Sequence, residues 1–275
     1  MPSKVAGVGF ILCFNTFYFI AITLDKSDFF CYVCFMVETQ KEAFIRFKNV
    51  KKTFNLSNHV VHAVDEMSFD ILEGEFVVIV GPSGAGKTTI LNLLGGMDNP
   101  TSGDIFVGEK NISKFSSKQL TEFRRTDIGF VFQFYNLMPN LTALENISLA
   151  SQLSPGSLIT AKDALKSVNL EDRGHHFPSQ MSGGEQQRTS IARSVTKNSK
   201  LILCDEPTGA LDYITGKKIL ALLHSICKER NITIILVTHN SALKDMADKV
   251  IVVKCGKIES VTINASPKPI EEIEW

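Results

Sequence analysis

The sequence predicts an α/β fold with a mostly parallel core sheet, an antiparallel β subdomain and an inserted helical subdomain. Continuous apolar runs separated by helical patterns are typical of buried parallel strands. Such runs lie at 76–80, 128–132, 201–204 and 233–237. Residues 44–50 alternate between apolar and polar side chains, and 60–64 and 67–71 continue this pattern, which predicts a half-exposed antiparallel layer. A mainly helical stretch from 136 to about 196 predicts the inserted subdomain.

Local patterns place the remaining elements in order along the chain. Dense turn chemistry at 98–103 precedes a further strand at 105–107. Cys255 and Gly256 form the turn of a C-terminal hairpin. Helical spacing predicts helices at 89–94, 118–125, 161–168 and 213–230.

Length and composition bound the class of protein. A chain of 275 residues holds one large α/β domain, or one domain with a subdomain. Lys and Arg number 29, as do Asp and Glu, so the net charge is zero and gives no electrostatic reason to expect a nucleic-acid partner. Cys31 and Cys34 form a C-x-x-C without a second pair, so neither a zinc site nor a disulfide framework is expected. Reduced, cytosolic thiols are the default.

Residues 1–35 differ from the rest of the chain. The largely apolar run 5–24 is long enough to be a transmembrane helix. It is interpreted as a membrane anchor, a signal sequence or translated upstream DNA. A signal sequence is disfavoured because no clear cleavage site follows the run. Translated upstream DNA is favoured because Met36 begins an ordinary polar N-terminus. The functional domain is therefore predicted over 40–262, followed by a peripheral C-terminal tail at 263–275.

A glycine-rich loop follows the first apolar run and precedes a helix. This order directs backbone N–H groups and a helix N-terminus at a phosphate. Lys87 is expected to reach the β- and γ-phosphates, and the Thr88 hydroxyl to bind Mg²⁺. The loop fits G-x-x-x-x-G-K-[ST] and comprises Gly81, Pro82, Ser83, Gly84, Ala85, Gly86, Lys87, Thr88 and Thr89. The sequence thus predicts a nucleoside-triphosphate site and a P-loop NTPase fold.

Polar residues follow two other predicted core strands. Asp205 and Glu206 end the apolar run that begins at 201, and strand ends in such sheets open onto the ligand crevice. Asp205 is the expected acidic partner of Thr88 around Mg²⁺, and Glu206 is positioned to accept a proton from attacking water. His239 follows the run at 233–237, where nucleotide chemistry can use it.

Two further features have both structural and functional interpretations. Ser182, Gly183 and Gly184 can cap a helix and offer free N–H groups to an anion, although the sequence by itself requires only a capped helix. Phe54, predicted in a loop between two strands, is expected either to pack or to stack on a nucleotide base.

The order of these motifs resembles the ATP-binding subunits of ABC transporters over residues 40–262. The segment between the glycine loop and the acidic strand makes the resemblance specific; it contains Ser182, Gly183, Gly184, Glu185 and Gln186. Finer matches at 81–84, 93–98, 128–133 and 141–146 are similar to the branch of macrolide exporters, lipoprotein-release ATPases and antimicrobial-peptide resistance ATPases. In that branch the permease is usually a separate chain.

The resemblance implies a role for each matched residue. Residues 81–89 bind the ATP phosphates, and Phe54 stacks on adenine. Thr88, Gln133 and Asp205 surround Mg²⁺. Glu206 polarises water and His239 contacts the γ-phosphate. Residues 182–186 contact ATP held by a second copy in a head-to-tail homodimer, with Asp212 at that interface. The expected location is the cytoplasmic face of the membrane, bound to a permease.

Three alternatives keep the fold but change the function. DNA-repair and chromosome-organising relatives carry a long coiled coil between the glycine loop and residues 182–186, and this interval lacks sustained heptads. Translation-factor relatives typically carry two cassettes in one chain. A regulatory ATPase that signals through a permease-like partner to cell-wall enzymes stays open.

Overall fold

A computed structural model describes residues 12–13, 16–17, 42–56, 59–154, 159–197 and 199–274. Internal contacts divide the chain into two units, Met1–Lys41 and Glu42–Trp275. In the first, the structure describes one antiparallel pair of two-residue strands, Leu12–Cys13 and Thr16–Phe17. The interpretations of the apolar run 5–24 otherwise lie outside the described residues and stay predictions.

A six-stranded sheet forms the centre of the second unit. Its strands are β3 (Phe76–Val80), β6 (Ile128–Phe132), β7 (Leu201–Asp205), β8 (Thr233–Thr238), β9 (Lys249–Lys254) and β10 (Lys257–Ile263). Their spatial order is β10-β9-β3-β8-β7-β6, and all neighbours are parallel except for the antiparallel β9–β10 hairpin. Apolar residues cover both faces of the sheet, which is why its central strands are continuous apolar runs.

An antiparallel four-stranded sheet forms the predicted β subdomain. Its order is β2-β1-β4-β5, from β1 (Ile45–Leu56), β2 (His59–Ile71), β4 (Ser102–Val107) and β5 (Lys110–Asn111). The prediction that Phe54 lies in a loop is wrong, because β1 continues through it to Leu56. Irregular register after Phe47 and a positive φ of 48° at Asn49 interrupt the alternation from which the strand end was predicted.

Helices pack on both faces of the core sheet, and the chain segment between β6 and β7 contains further helices. The predicted long helix is confirmed with its bounds unchanged, and the helical stretch after Asn136 contains three helices. The helices are α1 (Lys87–Leu94), α2 (Ser117–Thr126), α3 (Ala143–Leu153), α4 (Ala161–Ser167), α5 (Gly183–Val195) and α6 (Tyr213–Arg230). Short 3₁₀ helices occur at Ile112–Lys114, Glu171–Arg173, Pro178–Gln180, Ser241–Met246 and Ile270–Glu272.

The C-terminal segment packs against the core. Ile270 and Ile273 are 8% and 3% exposed and belong to the apolar cluster that contains α6. The expectation of a peripheral tail is therefore wrong, because two buried isoleucines outweigh the polar residues around them. Within the described residues, every helix is too short or too polar to cross a membrane.

Candidate nucleotide site

The glycine loop connects β3 to α1, as the sequence predicts. Gly86 adopts a φ of 100°, and a Cβ there would lie 2.1 Å from the Ala63 carbonyl oxygen, so both conformation and space require glycine. Lys87 begins α1 and is 8% exposed. Its Nζ donates to the carbonyl oxygens of Gly81 and Pro82 at 2.9 and 3.0 Å. The ammonium is thus held within the loop that would surround the phosphates.

A cavity of about 500 Å³ opens beside this loop. Its walls come from the glycine loop, from β2 and from the β9–β10 turn, and they include Val61, Lys87, Thr88 and Cys255. Phe54 is not among the lining residues, but it is the cross-strand partner of Val61 and is 40% exposed. Paired residues of neighbouring strands share a face of the sheet, so Phe54 lies on the same face as Val61.

Labelling of Cys255 offers a test of where the nucleotide binds. Cys255 is an exposed, free thiol, whereas burial raises the pKa of the Cys227 thiol to about 12 and also raises that of Cys204. We expect ATP with Mg²⁺ to slow maleimide labelling of Cys255 about tenfold or more by occupying the cavity, as read by peptide mass spectrometry. Labelling of a Lys87→Ala variant should be insensitive to ATP. Unchanged labelling of the unmodified chain at saturating ATP would place the nucleotide elsewhere.

Thr88 and Asp205 come together at the carboxyl end of the sheet. The Thr88 hydroxyl donates to Asp205 Oδ1 at 3.4 Å, although 117 residues separate them. Burial raises the pKa of Asp205, as does the charge of Glu206, whereas the hydrogen bond from Thr88 and the charge of Lys87 oppose this shift. A hydroxyl and one carboxylate beside a phosphate site match the oxygen ligands that Mg²⁺ takes in nucleotide enzymes.

The raised pKa predicts that Asp205 lowers stability in the absence of metal. An acid whose pKa is raised by folding makes the native state less stable as pH rises above the unfolded pKa of about 3.9. Asp205→Asn should therefore raise the Tm of the nucleotide-free protein at pH 7, because the neutral amide carries no charge that folding must desolvate. Scanning calorimetry at pH 7 and pH 4.5 checks this; the gain should shrink at the lower pH, and a loss of Tm at pH 7 would contradict it.

Glu206 is held by the end of the neighbouring strand. Its Oε1 accepts from the backbone N–H of His239 and contacts His239 Nδ1, both at 2.8 Å, and its Oε2 accepts from the Thr238 hydroxyl at 3.0 Å. Glu206 itself has a φ of 47°, which is uncommon for a residue with a Cβ. Backbone conformations of this kind occur most often at functional sites. The His239 side chain is 67% exposed. Two of the predicted catalytic residues, Glu206 and His239, are therefore in direct contact.

Gln133 directly follows β6. A Cβ added at Gly209 would lie 2.9 Å from its Nε2, so the amide is beside the loop that follows Glu206. This placement brings Gln133 to the correct edge of the sheet. Its predicted contact with Mg²⁺ stays a prediction.

Residues 182–186 begin α5. Ser182 caps the helix: its hydroxyl accepts from the Glu185 N–H at 3.3 Å while Glu185 Oε2 accepts from the Ser182 N–H at 2.8 Å. The hydrogen bond from the Ser182 N–H, and then that from the Ser182 hydroxyl, which donates to Glu185 Oε2 at 3.0 Å, lower the pKa of the Glu185 carboxylate. Gln186 donates to the Met181 carbonyl oxygen. Ser182 is exposed, and the lining of the cavity includes none of residues 182–186 among the described residues.

Asp212 lies close to the start of α5. It caps α6, accepting from the Thr215 N–H at 3.0 Å, and hydrogen bonds from Thr215 lower its pKa. A Cβ added at Gly184 would lie 2.4 Å from Thr215 Cγ2, so α5 and α6 approach each other at their N-termini. The sequence predicted that Asp212 and Ser182 share a region of the protein, the interface of a homodimer, only through the family resemblance.

Two residues that support the site were not predicted from the sequence. The Thr238 hydroxyl donates to Glu206, and the position of Thr238 at a strand end, next to His239, could have indicated this role. Gln187 is fully buried in α5 and donates to the Pro207 carbonyl oxygen at 2.8 Å, which connects α5 to the loop after Glu206. One polar residue within a helix gives no sequence signal for such a contact.

The fold and these contacts define a P-loop NTPase. The family profile described as "ABC transporter" matches residues 64–209, slightly more than half of the chain. The chain belongs to the ATP-binding proteins of ABC transporters and is an ATPase of that family, which confirms the predicted family, fold and activity.

Characterised and uncharacterised relatives agree with this assignment. An uncharacterized ABC transporter ATP-binding protein of Methanocaldococcus jannaschii is 41% identical over 223 residues, which cover 78% of this chain and 95% of the relative. The Shigella sonnei macrolide export ATP-binding/permease protein is 36% identical over 237 residues, covering 82% of this chain but 36% of the relative.

Solved structures of the M. jannaschii cassette are also similar. Its dimeric, post-hydrolysis state bound to ADP and Pi has a TM-score of 0.73 and 39% identity, and the match covers 80% of this chain and 98% of that one. The macrolide-export relative belongs to the branch that the sequence resembles.

Proposed function

We propose that this chain is the ATPase subunit of an ABC transporter whose permease is a separate chain at the membrane. Export, or extraction from the membrane, of a peptide, lipid-linked or drug-like compound is the proposed output. The observation that carries the proposal is a cationic, partly apolar groove next to the loop that follows Gln133. The homodimer and the cytoplasmic face of the membrane are parts of the same proposal.

The residues of the nucleotide site fit Mg²⁺-dependent ATP hydrolysis. Lys87 and the N–H groups of the loop would bind the phosphates, and Thr88 and Asp205 would hold Mg²⁺, with Gln133 nearby. The metal would supply charge neutralisation on the phosphate oxygens. Phosphoryl transfer depends on positioning and electrostatics more than on covalent chemistry, so these residues account for most of what the chain must do.

Glu206 is the proposed general base. In the present conformation His239 contacts Glu206 Oε1, the oxygen that would otherwise accept a proton from water. Turning the exposed His239 ring to the γ-phosphate would free this oxygen, while the hydrogen bonds from Thr238 and from the His239 backbone would keep the carboxylate in place. Hydrolysis would thereby start only after ATP has bound.

A second copy would complete the site. Ser182 is exposed, and the N-terminus of α5 presents free N–H groups to an anion. In a head-to-tail homodimer these groups would contact ATP on the partner, with Asp212 at the interface. The M. jannaschii cassette is dimeric in its solved structure, which supports the dimer in this proposal. ATP would then stabilise a closed dimer by binding it more tightly than the open state.

The docking groove has a volume of about 580 Å³ and is lined by α2, β6, α3 and α5. Its apolar lining includes Phe130, Phe132, Met138, Leu149 and Leu153, of which Met138 and Leu153 are 50% and 53% exposed. Phe134 is 75% exposed on the loop after Gln133. Large exposed apolar side chains grouped in this way are typical of a binding surface.

The charges of the groove indicate what its partner carries. Arg193 donates to the carbonyl oxygens of Tyr135 and Asn136, and Lys197 to those of Arg124 and Ile128. The described lining residues include no carboxylate. Burial lowers the pKa of Lys197, as does the nearby charge of Arg193. We therefore propose that a permease segment inserts an apolar side chain and a carboxylate here.

Affinity purification tests this proposal. The chain, tagged at its C-terminus, is recovered from detergent-solubilised membranes, and a stoichiometric multi-span permease is expected by mass spectrometry. Lys197→Glu should reduce recovery at least about tenfold, whereas the matched charge reversal Lys166→Glu on the exposed face of α4 should not. ATP binding by both variants controls for folding.

Other outcomes identify the alternatives. A permease-like partner recovered together with cell-wall enzymes would favour the regulatory ATPase. Recovery of no membrane protein would contradict the transporter subunit and favour an ATPase that acts without a permease. The same spectra test the start site, because peptides from residues 1–35 would exclude translation from Met36.

A further inference from the structure

We infer that residues 264–274, the C-terminal strap, position the His239 and Asp212 loops for hydrolysis. The inference rests on the proposed roles of those two residues. The strap follows β10 and runs from the 3₁₀ helix Ser241–Met246 to the N-terminal half of α6. It thereby connects two loops that are 27 residues apart in sequence, His239 being at 239 and Asp212 at 212.

One end of the strap fixes the segment after His239. The backbone oxygen of Asp245 accepts hydrogen bonds from the Lys268 N–H at 2.8 Å and from Asn264 Nδ2 at 3.1 Å. The Asp245 carboxylate forms an ion pair with Lys268 Nζ at 2.7 Å. Between Asp245 and the catalytic centre, the Asn240 N–H donates to the Thr238 hydroxyl oxygen at 3.0 Å. Since that hydroxyl donates to Glu206, the contacts of the strap lead to the proposed base.

The other end fixes the start of α6. Lys217 Nζ donates to the Glu271 carbonyl oxygen at 3.0 Å, and the Tyr213 hydroxyl donates to that of Ile273 at 3.4 Å. Tyr213 directly follows Asp212, the cap of α6. The Lys217 ammonium also lies 5.0 Å from the centroid of the Tyr213 ring, so Lys217 and Tyr213 form one contact group with the strap.

Two buried side chains of the strap pack against both the 3₁₀ helix and α6. Ile270 and Ile273 enter the apolar cluster that also contains Leu243 and Met246 of the 3₁₀ helix, and Ile219 of α6. Core packing of this kind transmits displacement, because interiors have few voids. A shift of the strap would therefore move both loops relative to the γ-phosphate and to the second copy.

The contacts predict an effect on turnover and not on nucleotide affinity. Within the described residues, the hydrogen bonds of the strap go to α6, to the 3₁₀ helix and to Asp248, and not to the glycine loop. Displacements of about 1 Å in catalytic positions can cost on the order of 100-fold in rate. The strap residues are thus positioning residues, without contact to the phosphates.

Ile273→Ala in the full chain, with Ile226→Ala as the matched control, tests the inference. Ile226 is 5% exposed in the same cluster, at the opposite end of α6 from Asp212. We expect Ile273→Ala to lower the kcat for ATP about tenfold with KM changed less than twofold, and Ile273→Val to restore most of the loss. Ile226→Ala should lower Tm comparably and leave kcat within twofold.

Lys217→Met is a second variant that keeps the apolar packing. It removes the hydrogen bond to Glu271 and should lower kcat by a smaller factor, again with KM nearly unchanged. If Ile273→Ala and Lys217→Met lower kcat no more than Ile226→Ala does, the strap serves stability alone and the inference is wrong. A large rise in KM would also overturn it.

Discussion

Lys87→Ala is expected to abolish tight ATP binding. The Lys87 ammonium is held by the Gly81 and Pro82 carbonyl oxygens, and Lys87 is the one lysine or arginine among the described residues that line the cavity. Charge-assisted hydrogen bonds to phosphate are among the strongest polar contacts in proteins. We expect Kd for ATP to rise at least about 100-fold, or ~2.7 kcal/mol, as measured by titration calorimetry.

The matched control is Lys257→Ala. Lys257 is an exposed lysine near the cavity that pairs with Asp65 at 3.2 Å, and the loss of an exposed pair costs little. Its affinity for ATP should stay within about twofold of the unmodified chain. The Tm of Lys87→Ala without nucleotide separates lost binding from lost folding. Tight ATP binding by a folded Lys87→Ala protein would contradict the assigned phosphate site.

Glu206→Gln is expected to stop hydrolysis while ATP still binds. An amide keeps the acceptor for Thr238 but cannot take a proton from water, and general-base catalysis contributes about 10²–10⁴-fold. The steady-state ATPase rate should therefore fall at least about 100-fold. Because Glu206 does not contact Lys87 or Thr88 through any described hydrogen bond, Kd for ATP should not rise.

The control for this substitution is Glu259→Gln on β10. Glu259 is 55% exposed, faces Lys254 at 3.6 Å and is not among the described residues that line the cavity. Its ATPase rate should match that of the unmodified chain in a phosphate-release assay. An unchanged rate in Glu206→Gln would exclude Glu206 as the base and leave water activation to another group.

Most of the core was predictable because its signals are local. The buried run at Phe76–Val80 and the helix Tyr213–Arg230 have the predicted bounds, since each is continuous in pattern. Phe54 was misplaced because β1 contains bulges that break the alternation. The C-terminal segment was misjudged because Ile270 and Ile273 are only two apolar residues within a polar stretch, too few to give a periodic signal.

The site was predictable where residues end neighbouring strands. Parallel β7 and β8 place Glu206 beside His239. The sequence placed each residue at the end of its own strand, and the contact between them was not predicted. The docking groove was not predictable, because Arg193 and Lys197 lie at the end of α5 and contact carbonyl groups from distant parts of the chain. Such contacts depend on tertiary packing and have no sequence spacing of their own.

The mass in solution of the Glu206→Gln variant with ATP bound tests most directly whether a second copy completes the nucleotide site. Sedimentation equilibrium with saturating ATP and Mg²⁺ should give the mass of two chains, each of 30.4 kDa, and the mass of one chain without nucleotide. Adding Ser182→Arg should restore the single-chain mass with ATP still bound, because it blocks the N-terminus of α5. A single-chain mass for Glu206→Gln with ATP bound would contradict the proposal that a second copy completes the site.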